Sequence, residues 1–329
     1  MTRNEIFEFL KDKDSKVLFN QANQTRKQFC GDKVFLRGLI EFSSYCVRNC
    51  LYCGLRRENK EAQRMRLKDV EIVRAAANVR SKGFKTVVLQ SGDDLFYTRN
   101  KFSSVIRKIK KQCPDLAVTL SLGERPFDDY KAFYDAGASR YLLKHETADE
   151  NLYKSFHPGQ SLRKRLKILE YLRKIGFQVG SGNIVGLPGQ RLEHLVQDIL
   201  FYQDFQPDMI GIGPFMPQSQ TPLASHKFSD ISLVLKIIAL TRIVTRNAHM
   251  PVTTALTTLG GNKAQRKALD AGCNVIMPSF TPVALKKNYV IYDEKIKVTI
   301  HNARLIIRSA RRRLSFQKGD SLKLSCKLT

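Results

Sequence analysis

The sequence is short of acid: across 329 residues, 30 Asp and Glu stand against 56 Lys and Arg, for a formal net charge of +26. A surface field of that sign favours anionic partners, whether nucleic acid, acidic protein surfaces or anionic metabolites, without choosing among them. Long apolar runs are missing as well. The longest, around 232–241, falls well short of the ~20 residues that a membrane span needs. The start MTRNEIFEF has no apolar secretory core, so a soluble, cytoplasmic protein is expected. No internal repeat or low-complexity linker interrupts the chain. The seven cysteines, three packed into eight residues and four isolated, are too scattered for a disulfide framework. A reducing compartment and a metal site fit them better.

With 43% hydrophobic residues the chain can bury one substantial core, and single barrels of roughly 250 residues or more are ordinary at this length. Short β-branched runs alternate with amphipathic stretches in strand-then-helix order, which points to a parallel sheet covered by helices. Eight strands are expected, at 35–42, 86–90, 117–122, 140–143, 178–185, 209–213, 252–255 and 274–277. Helices are expected at 69–82, 102–111, 127–136, 162–175, 192–202, 233–244 and 263–270, with another starting near Asn302. Gly83, Gly137, Gly176 and Gly272 each follow a helical run, where left-handed backbone favours glycine as the cap. Eight such units close as a (β/α)8 TIM barrel, whose chemistry collects at the C-terminal ends of the strands; an open doubly wound sheet is the alternative. Within one domain, residues 1–33 read as a helical extension, 34–313 as the barrel and 314–329 as a short, basic, loosely ordered tail. The late basic residues Arg304, Arg308, Arg311, Arg312, Arg313, Lys318, Lys323 and Lys327 read first as a solvated helix face.

Cys46-Val47-Arg48-Asn49-Cys50-Leu51-Tyr52-Cys53 sets three thiols on one short loop after the first expected strand. Three thiolates can take three corners of a 4Fe-4S cubane and leave the fourth iron open, whereas an electron-transfer cluster takes four. Zinc is the competing reading, and it needs a fourth Cys or His to close its tetrahedron. The nearest downstream histidine is His145 and the nearest other cysteines are Cys30 and Cys113, so the spacing disfavours zinc. Cys273 and Cys326 are far apart, and a single cluster is expected.

The spacing C-x3-C-x2-C, with an aromatic residue before the last cysteine, is that of the radical S-adenosylmethionine (SAM) superfamily. Around it, IEFSSYCVRNCLYCGLRREN resembles the HydE family of FeFe-hydrogenase maturases, relatives of biotin synthase and of the methylornithine synthase PylB. VVLQSGDD, AVTLSLGE, RYLLKHETA, IVGLPGQ, MIGIGPFMP, ALTR, VTTA and NVIMPSFTP resemble the same family in the same order, over residues 31–313.

The resemblance implies a radical SAM barrel that holds one 4Fe-4S cluster on Cys46, Cys50 and Cys53 and binds SAM. Ser91, Gly92 and Asp93 are similar to the glycine-rich turn that receives the methionine amino group, with Asp93 where the family has glutamate. Glu146 is similar to the ribose-binding acid and Arg165 to the arginine that grips the methionine carboxylate, with Arg163 and Lys164 as alternates. Gly213, Pro214 and Tyr52 match adenine contacts, although Gly213 reads equally as turn punctuation. Thr119, Ser121, Thr253, Thr254, Tyr289 and Tyr292 match polar residues of the substrate cavity, each of which would otherwise read as an ordinary core hydrogen-bonder. Lys144 replaces a family arginine, and Gln218 stands where histidine is frequent. His145 and His157 read as structural.

The activity so implied is reductive cleavage of SAM to a 5'-deoxyadenosyl radical, within maturation of the hydrogenase di-iron subcluster. The implied partners are a small-molecule or organometallic substrate, acidic maturation proteins, and a reductant such as ferredoxin or flavodoxin. One rival is a PylB-like rearrangement of lysine to methylornithine. Another, of a different class, is a nucleic-acid-modifying protein suggested by the net charge, although no appended RNA-binding module is visible. A third keeps the cluster as a sensor or structural element, against which the apparent SAM contacts argue.

Overall fold

The computed structural model describes residues 1–323; Cys326 and Lys327 lie outside the described residues. The strands are β1 (Lys33–Leu36), β2 (Gly38–Ser43), β3 (Thr86–Ser91), β4 (Ala117–Ser121), β5 (Arg140–Leu142), β6 (Gln178–Ser181), β7 (Ile184–Val185), β8 (Met209–Ile210), β9 (Gly213–Pro214), β10 (Val275–Ile276) and β11 (Arg313–Ser315). The helices are α1 (Arg3–Lys11), α2 (Lys16–Cys30), α3 (Asp69–Ser81), α4 (Arg99–Gln112), α5 (Phe127–Asp135), α6 (Glu150–Phe156), α7 (Leu162–Lys174), α8 (Leu192–Phe205), α9 (Ile231–Thr245), α10 (Thr254–Asp270) and α11 (Ile300–Ser309). Val87, Val88 and Leu89 of β3 are all buried, as expected of a parallel strand covered on both faces. In α4, Phe102, Val105, Ile106 and Ile109 recur at helical spacing and bury one stripe, and Thr98 caps the start by accepting from the Lys101 N–H.

Parallel pairing runs from β2 through β3, β4, β5 and β6 to β8. It continues by single bridges, Met209 to His249 and Pro251 to Val275, and returns through β10 to β1. The Leu39 N–H then donates to the Pro278 carbonyl (2.9 Å), so β1 and β2, two halves of one strand broken at Arg37, both meet the last strand. The ring therefore closes as a barrel, and the open sheet is excluded.

Several expected strands are interrupted. The 178–185 and 209–213 strands each break where neighbours approach closely, because a Cβ on Gly182 would lie 2.2 Å from the Gly211 carbonyl oxygen. The strand expected at 252–255 does not form. Thr253 instead caps α10, its hydroxyl accepting from the Leu256 N–H, and the seventh place in the ring is filled by 249–251. Helix α6, not anticipated, is capped by Asp149, which accepts from the Leu152 N–H at 2.8 Å. Among the described residues no helix is long and apolar enough to cross a membrane.

Strand β11 pairs with β1, and the described residues 318–320 that follow it are bonded to the barrel. The Lys318 carbonyl accepts from Thr86 Oγ1 (2.9 Å) and Arg140 Nη2 (3.0 Å), the Gly319 carbonyl accepts from Arg37 Nη2 (3.1 Å), and the Asp320 carboxylate meets Arg140 at 2.8 Å. Arg312, read in the sequence as part of a solvated face, is buried, and its guanidinium donates to the carbonyls of Asp32, Leu269 and Lys33.

Arg140 is fully buried, and burial lowers its pKa. Burial raises the Asp320 carboxyl, but the hydrogen bond and charge of Arg140, with a hydrogen bond from Gln178 and the charge of Lys318, together outweigh it and hold the group below the usual carboxylate range. Asp320→Ala is therefore expected to lower stability by about 1–3 kcal/mol, toward the small end because the carboxylate is 60% exposed. A folded pKa below the unfolded one means that this contribution is present above the ordinary carboxylate range and fades as pH falls through the depressed value. Urea midpoints of wild type and variant, measured across acid pH, should converge; a constant gap would contradict the assignment.

Candidate active site

The C-terminal ends of the strands open on a cavity of about 340 Å³. Its wall gathers Cys46, Cys50, Tyr52, Cys53, Ser91, Gly92, Asp93, Ser121, Glu146, Arg165, Gly213, Pro214, Thr253, Thr254, Tyr289 and Tyr292. Thr119 is outside that wall. It shares a strand face with Ser121 but lies one layer deeper, where its Oγ1 is buried without a hydrogen-bond partner.

The cysteine loop leaves β2 at Ser43 and reaches α3 at Asp69. Its irregular backbone is held by one side chain. Arg64 Nη1 donates to the carbonyls of Ser44 (2.7 Å) and Leu55 (2.9 Å), and Nη2 to those of Arg56 (2.7 Å) and Asn59 (3.0 Å), so one guanidinium ties both flanks of the motif. Gly92 permits the neighbouring turn to press against the loop, since a Cβ there would lie 2.3 Å from the Tyr45 carbonyl oxygen and 2.7 Å from Cys46 Cβ.

Cys46 Sγ accepts from the N–H groups of Arg48 and Asp93, both at 3.4 Å, and Cys50 Sγ accepts from Gln160 Nε2 at 3.4 Å. Burial pushes the Cys46 thiol up to about 12, with Asp93 adding to the rise, and burial also raises Cys50 and Cys53. Such thiols become thiolates only when a positive centre replaces their protons. Among the described residues no three His, Cys, Asp or Glu side chains converge closely enough for one metal ion. Three sulfurs without a fourth donor suit three corners of a cluster.

Across the cavity, Glu146 sits in left-handed backbone, φ 68°, a strain of order 1–3 kcal/mol for a residue with a Cβ. Its N–H donates to the Gly182 carbonyl and its own carbonyl accepts from the Ile184 N–H, both at 2.9 Å, which holds it there. Lys144 Nζ lies 3.0 Å from Oε2 but out of line, leaving that buried oxygen without a hydrogen-bond partner. Burial would raise the Glu146 carboxyl, yet Lys144 and Arg165 together outweigh it and keep the group ionised.

Arg165 is buried and donates to Glu124 Oε1 (2.9 Å), the Lys144 carbonyl (3.0 Å) and Gln160 Oε1 (2.9 Å). The Asp93 carboxylate is engaged within the wall, accepting from Arg48 Nε at 2.6 Å and from the Glu124 N–H at 3.1 Å. Gly123, φ 70°, makes room for it, since a Cβ would lie 1.4 Å from Asp93 Oδ1. Farther round, a Cβ on Gly211 would meet nothing within 4 Å and one on Gly213 only Thr253 Oγ1 at 3.6 Å and Ala255 Cβ at 3.9 Å, so this part of the wall is bare backbone open to a flat ring.

A model of the radical SAM superfamily matches residues 40–202. The [FeFe] hydrogenase maturase subunit HydE of Thermotoga maritima is 44% identical over 302 residues, covering 90% of this chain and 85% of that protein. This chain belongs to the radical SAM superfamily. The 3-methylornithine synthase of Methanosarcina acetivorans is 27% identical over 84% of this chain and 79% of its own length. Among solved structures, methylornithine synthase PylB superposes with a TM-score of 0.84 at 25% identity, covering 95% and 94% of the two chains. HydG from Carboxydothermus hydrogenoformans, at 20% identity and a TM-score of 0.82, covers 96% of this chain and 76% of its own, a likeness of fold.

Radical SAM membership makes the chain an enzyme and implies a 4Fe-4S cluster and SAM. The wall fits both, through three cysteine sulfurs on one loop lining the cavity, an orphaned carboxylate oxygen on Glu146 and the bare backbone at Gly211 and Gly213.

Sequence reading passed over several members of the site. Glu41, buried on β2, pairs with Lys295, which lies 4.7 Å over the Tyr289 ring, and Gln90 Nε2 donates to Tyr289 Oη at 3.3 Å. An acid inside the apolar strand LIEFS was a signal for Glu41; Lys295, in a long irregular segment, had none. His157, read as structural, is buried and held to about 4 mainly by burial, so it stays neutral. Its Nδ1 donates to the Tyr153 carbonyl (2.8 Å), which leaves Nε2 to accept from Tyr52 Oη (2.9 Å) and fixes that tyrosine in the motif.

Arg64→Met should leave four carbonyls without their shared donor. Amide exchange across 44–59 is then expected to rise by roughly tenfold or more, the effect of losing over 1.4 kcal/mol of local stability, while protection of β3 and β4 is unchanged. Equal exchange in variant and wild type would remove Arg64 from this role.

Proposed function

We propose that this radical SAM enzyme works in FeFe-hydrogenase maturation, as HydE does. What supports the reading is that the 44% identity to HydE extends over 90% of the chain and therefore through the strand ends that build the cavity. Held by Cys46, Cys50 and Cys53, the cluster would supply one-electron reductive cleavage of bound SAM to a 5'-deoxyadenosyl radical and methionine.

The chain's own residues bind and orient. Cys46, Cys50 and Cys53 would hold three irons. Glu146 offers its free Oε2 to the ribose hydroxyls, whose protons an ionised carboxylate accepts. Arg165 is the buried cation for the methionine carboxylate, with Glu124 and Gln160 aiming its planar fork. Ser91, Gly92 and Asp93 form the turn beside the amino group, while Tyr52, Gly213 and Pro214 receive the adenine. Ser121, Thr253, Thr254, Tyr289 and Tyr292, backed by Thr119, present hydroxyls to a small or organometallic substrate. The apolar wall of Leu142, Leu143, Ile184, Phe215 and Met216 excludes water, which a reactive carbon radical requires.

Anaerobic reconstitution should give about four irons per chain, the content of one cubane, and Ala at Cys46, Cys50 or Cys53 should abolish it. Full iron content in all three variants, or tight zinc instead, would overturn the site. Arg165→Ala and Glu146→Gln should each weaken SAM binding by about ten- to a hundredfold, the usual worth of a hydrogen bond to a charged group, with iron content unchanged. Titration calorimetry on the reconstituted enzyme checks this.

The substrate is tested by adding the enzyme to a maturation mixture lacking HydE and measuring hydrogen evolution by the matured hydrogenase. Rescue is expected. No rescue by a preparation that cleaves SAM, together with conversion of lysine to methylornithine, would assign it to the PylB activity.

A further inference from the structure

The connection between α6 and α7 contains the turn His157-Pro158-Gly159-Gln160. Proline followed by glycine is the order that a type II turn favours; Gly159 has φ 71°, and the Gln160 N–H donates to the His157 carbonyl at 3.0 Å. The turn is docked on the cysteine motif through three consecutive residues of the motif. The Leu51 N–H donates to the Phe156 carbonyl (3.0 Å), Tyr52 Oη to His157 Nε2 (2.9 Å), and the Gln160 side chain reaches Cys50. Ser161, the next residue, caps α7 by accepting from the Lys164 N–H at 3.3 Å, and Arg165 follows within the first turns of that helix. One short turn therefore sets the places of a sulfur and of the buried arginine.

The Gln160 side chain joins the two directly. Its Oε1 accepts from Arg165 Nη2 at 2.9 Å, and its Nε2 donates to Cys50 Sγ at 3.4 Å. A guanidinium only donates and a thiolate only accepts, so a bridge between them needs an acceptor at one end and a donor at the other. An amide has both. Glutamate would satisfy Arg165 but repel the sulfur, and an apolar side chain would serve neither. Gln160 is not part of the cavity wall, so its route to a bound molecule runs through Arg165. Cys46 Sγ, by contrast, accepts from the backbone N–H groups of Arg48 and Asp93, which no substitution of those side chains removes. Donors to the sulfurs of an iron–sulfur cluster help set its reduction potential, because they stabilise the negative charge that the added electron brings.

We propose that Gln160 is a positioning residue that couples the two halves of the site: one amide raises the reduction potential of the cluster held by Cys50 and aims Arg165 at the carboxylate of SAM. The proposal rests on the radical SAM reading of the site. Guanidinium, amide and sulfur form one polarised chain, so a carboxylate that binds Arg165 is felt at Cys50. No proton or group is transferred along it.

The test uses the reconstituted holoenzyme, with potentials from redox titration followed by electron paramagnetic resonance and SAM affinity from calorimetry. Gln160→Met keeps the length of the side chain and removes both contacts. Its iron content should match wild type. Its reduced fraction at a fixed potential should fall by about tenfold, as loss of one hydrogen bond to a charged group does, equivalent to about 59 mV for one electron. Its SAM affinity should fall by about tenfold as well. Gln160→Glu keeps a partner for Arg165 but sets an anion beside the sulfur, so its potential should fall further than that of Gln160→Met. Arg165→Ala should lower the potential less in the Gln160→Met background than in wild type, because members of one hydrogen-bond chain are not additive. A wild-type potential in both Gln160 variants, wild-type SAM affinity in Gln160→Met, or equal effects of Arg165→Ala in the two backgrounds would each overturn the coupling. Should Gln160→Met fail to take up iron, the potential of Gln160→Glu decides. Failure of the wild-type centre to take an electron even from dithionite would instead overturn the radical SAM reading.

Discussion

Between Ser44 and Asn59 the chain must hold three sulfurs on backbone that belongs to no helix or sheet, and the guanidinium of Arg64 is what satisfies that backbone. Buried carbonyls without donors are costly, and here four of them converge on one planar fork. A lysine could not reproduce this, because its compact ammonium has no fixed fan of donors. The position of every cysteine therefore depends on a residue outside the motif. Gly92 and Gly123 complete the arrangement by letting the turn after β3 come close enough for a backbone N–H to reach Cys46 Sγ and for Asp93 to be locked by Arg48.

The same use of arginine recurs throughout the fold and gives part of the positive charge a structural meaning. Arg37 donates to the Gly319 carbonyl, Arg140 to that of Lys318, Arg242 to that of Gly272, and Arg312 to those of Asp32, Leu269 and Lys33. Burial lowers the pKa of each. Arg37 and Arg140 tie the barrel to residues 318–320, and Arg242 and Arg312 tie its connecting loops together, so these buried side chains are unavailable to nucleic acid or to a partner. Rigidity at the N-terminal ends of the strands leaves the opposite end free to carry irregular loops, which is where the cavity lies.

Much of the site was legible locally. The cysteine triad, the acid after RYLLKH and the arginine of α7 stand in short, recognisable segments, and the helix-glycine-strand rhythm marked the alternation that a barrel needs. Asp93 shows where local reading stops. Its residue type suggested a ligand contact, but the carboxylate turns to Arg48 and Glu124 because Gly123, thirty residues away, leaves it the space. The strand expected at 252–255 failed for a related reason. A β-branched run reads as extended, yet after the Val252 N–H has donated to the Val275 carbonyl, Thr253 gains more by capping α10.

By itself, then, the sequence determined the alternation, the helix stripes and the grouping of three thiols on one loop, because hydrophobic period and side-chain chemistry act over a few neighbouring residues. Only the tertiary structure decided that Arg64 holds the cysteine loop, that Lys295 meets Glu41, that Thr119 lies behind the wall rather than on it, and that residues 318–320 bond to the barrel strands. Each of these joins groups far apart in the chain through burial and hydrogen-bond geometry, and neither leaves a periodic trace in the order of the residues.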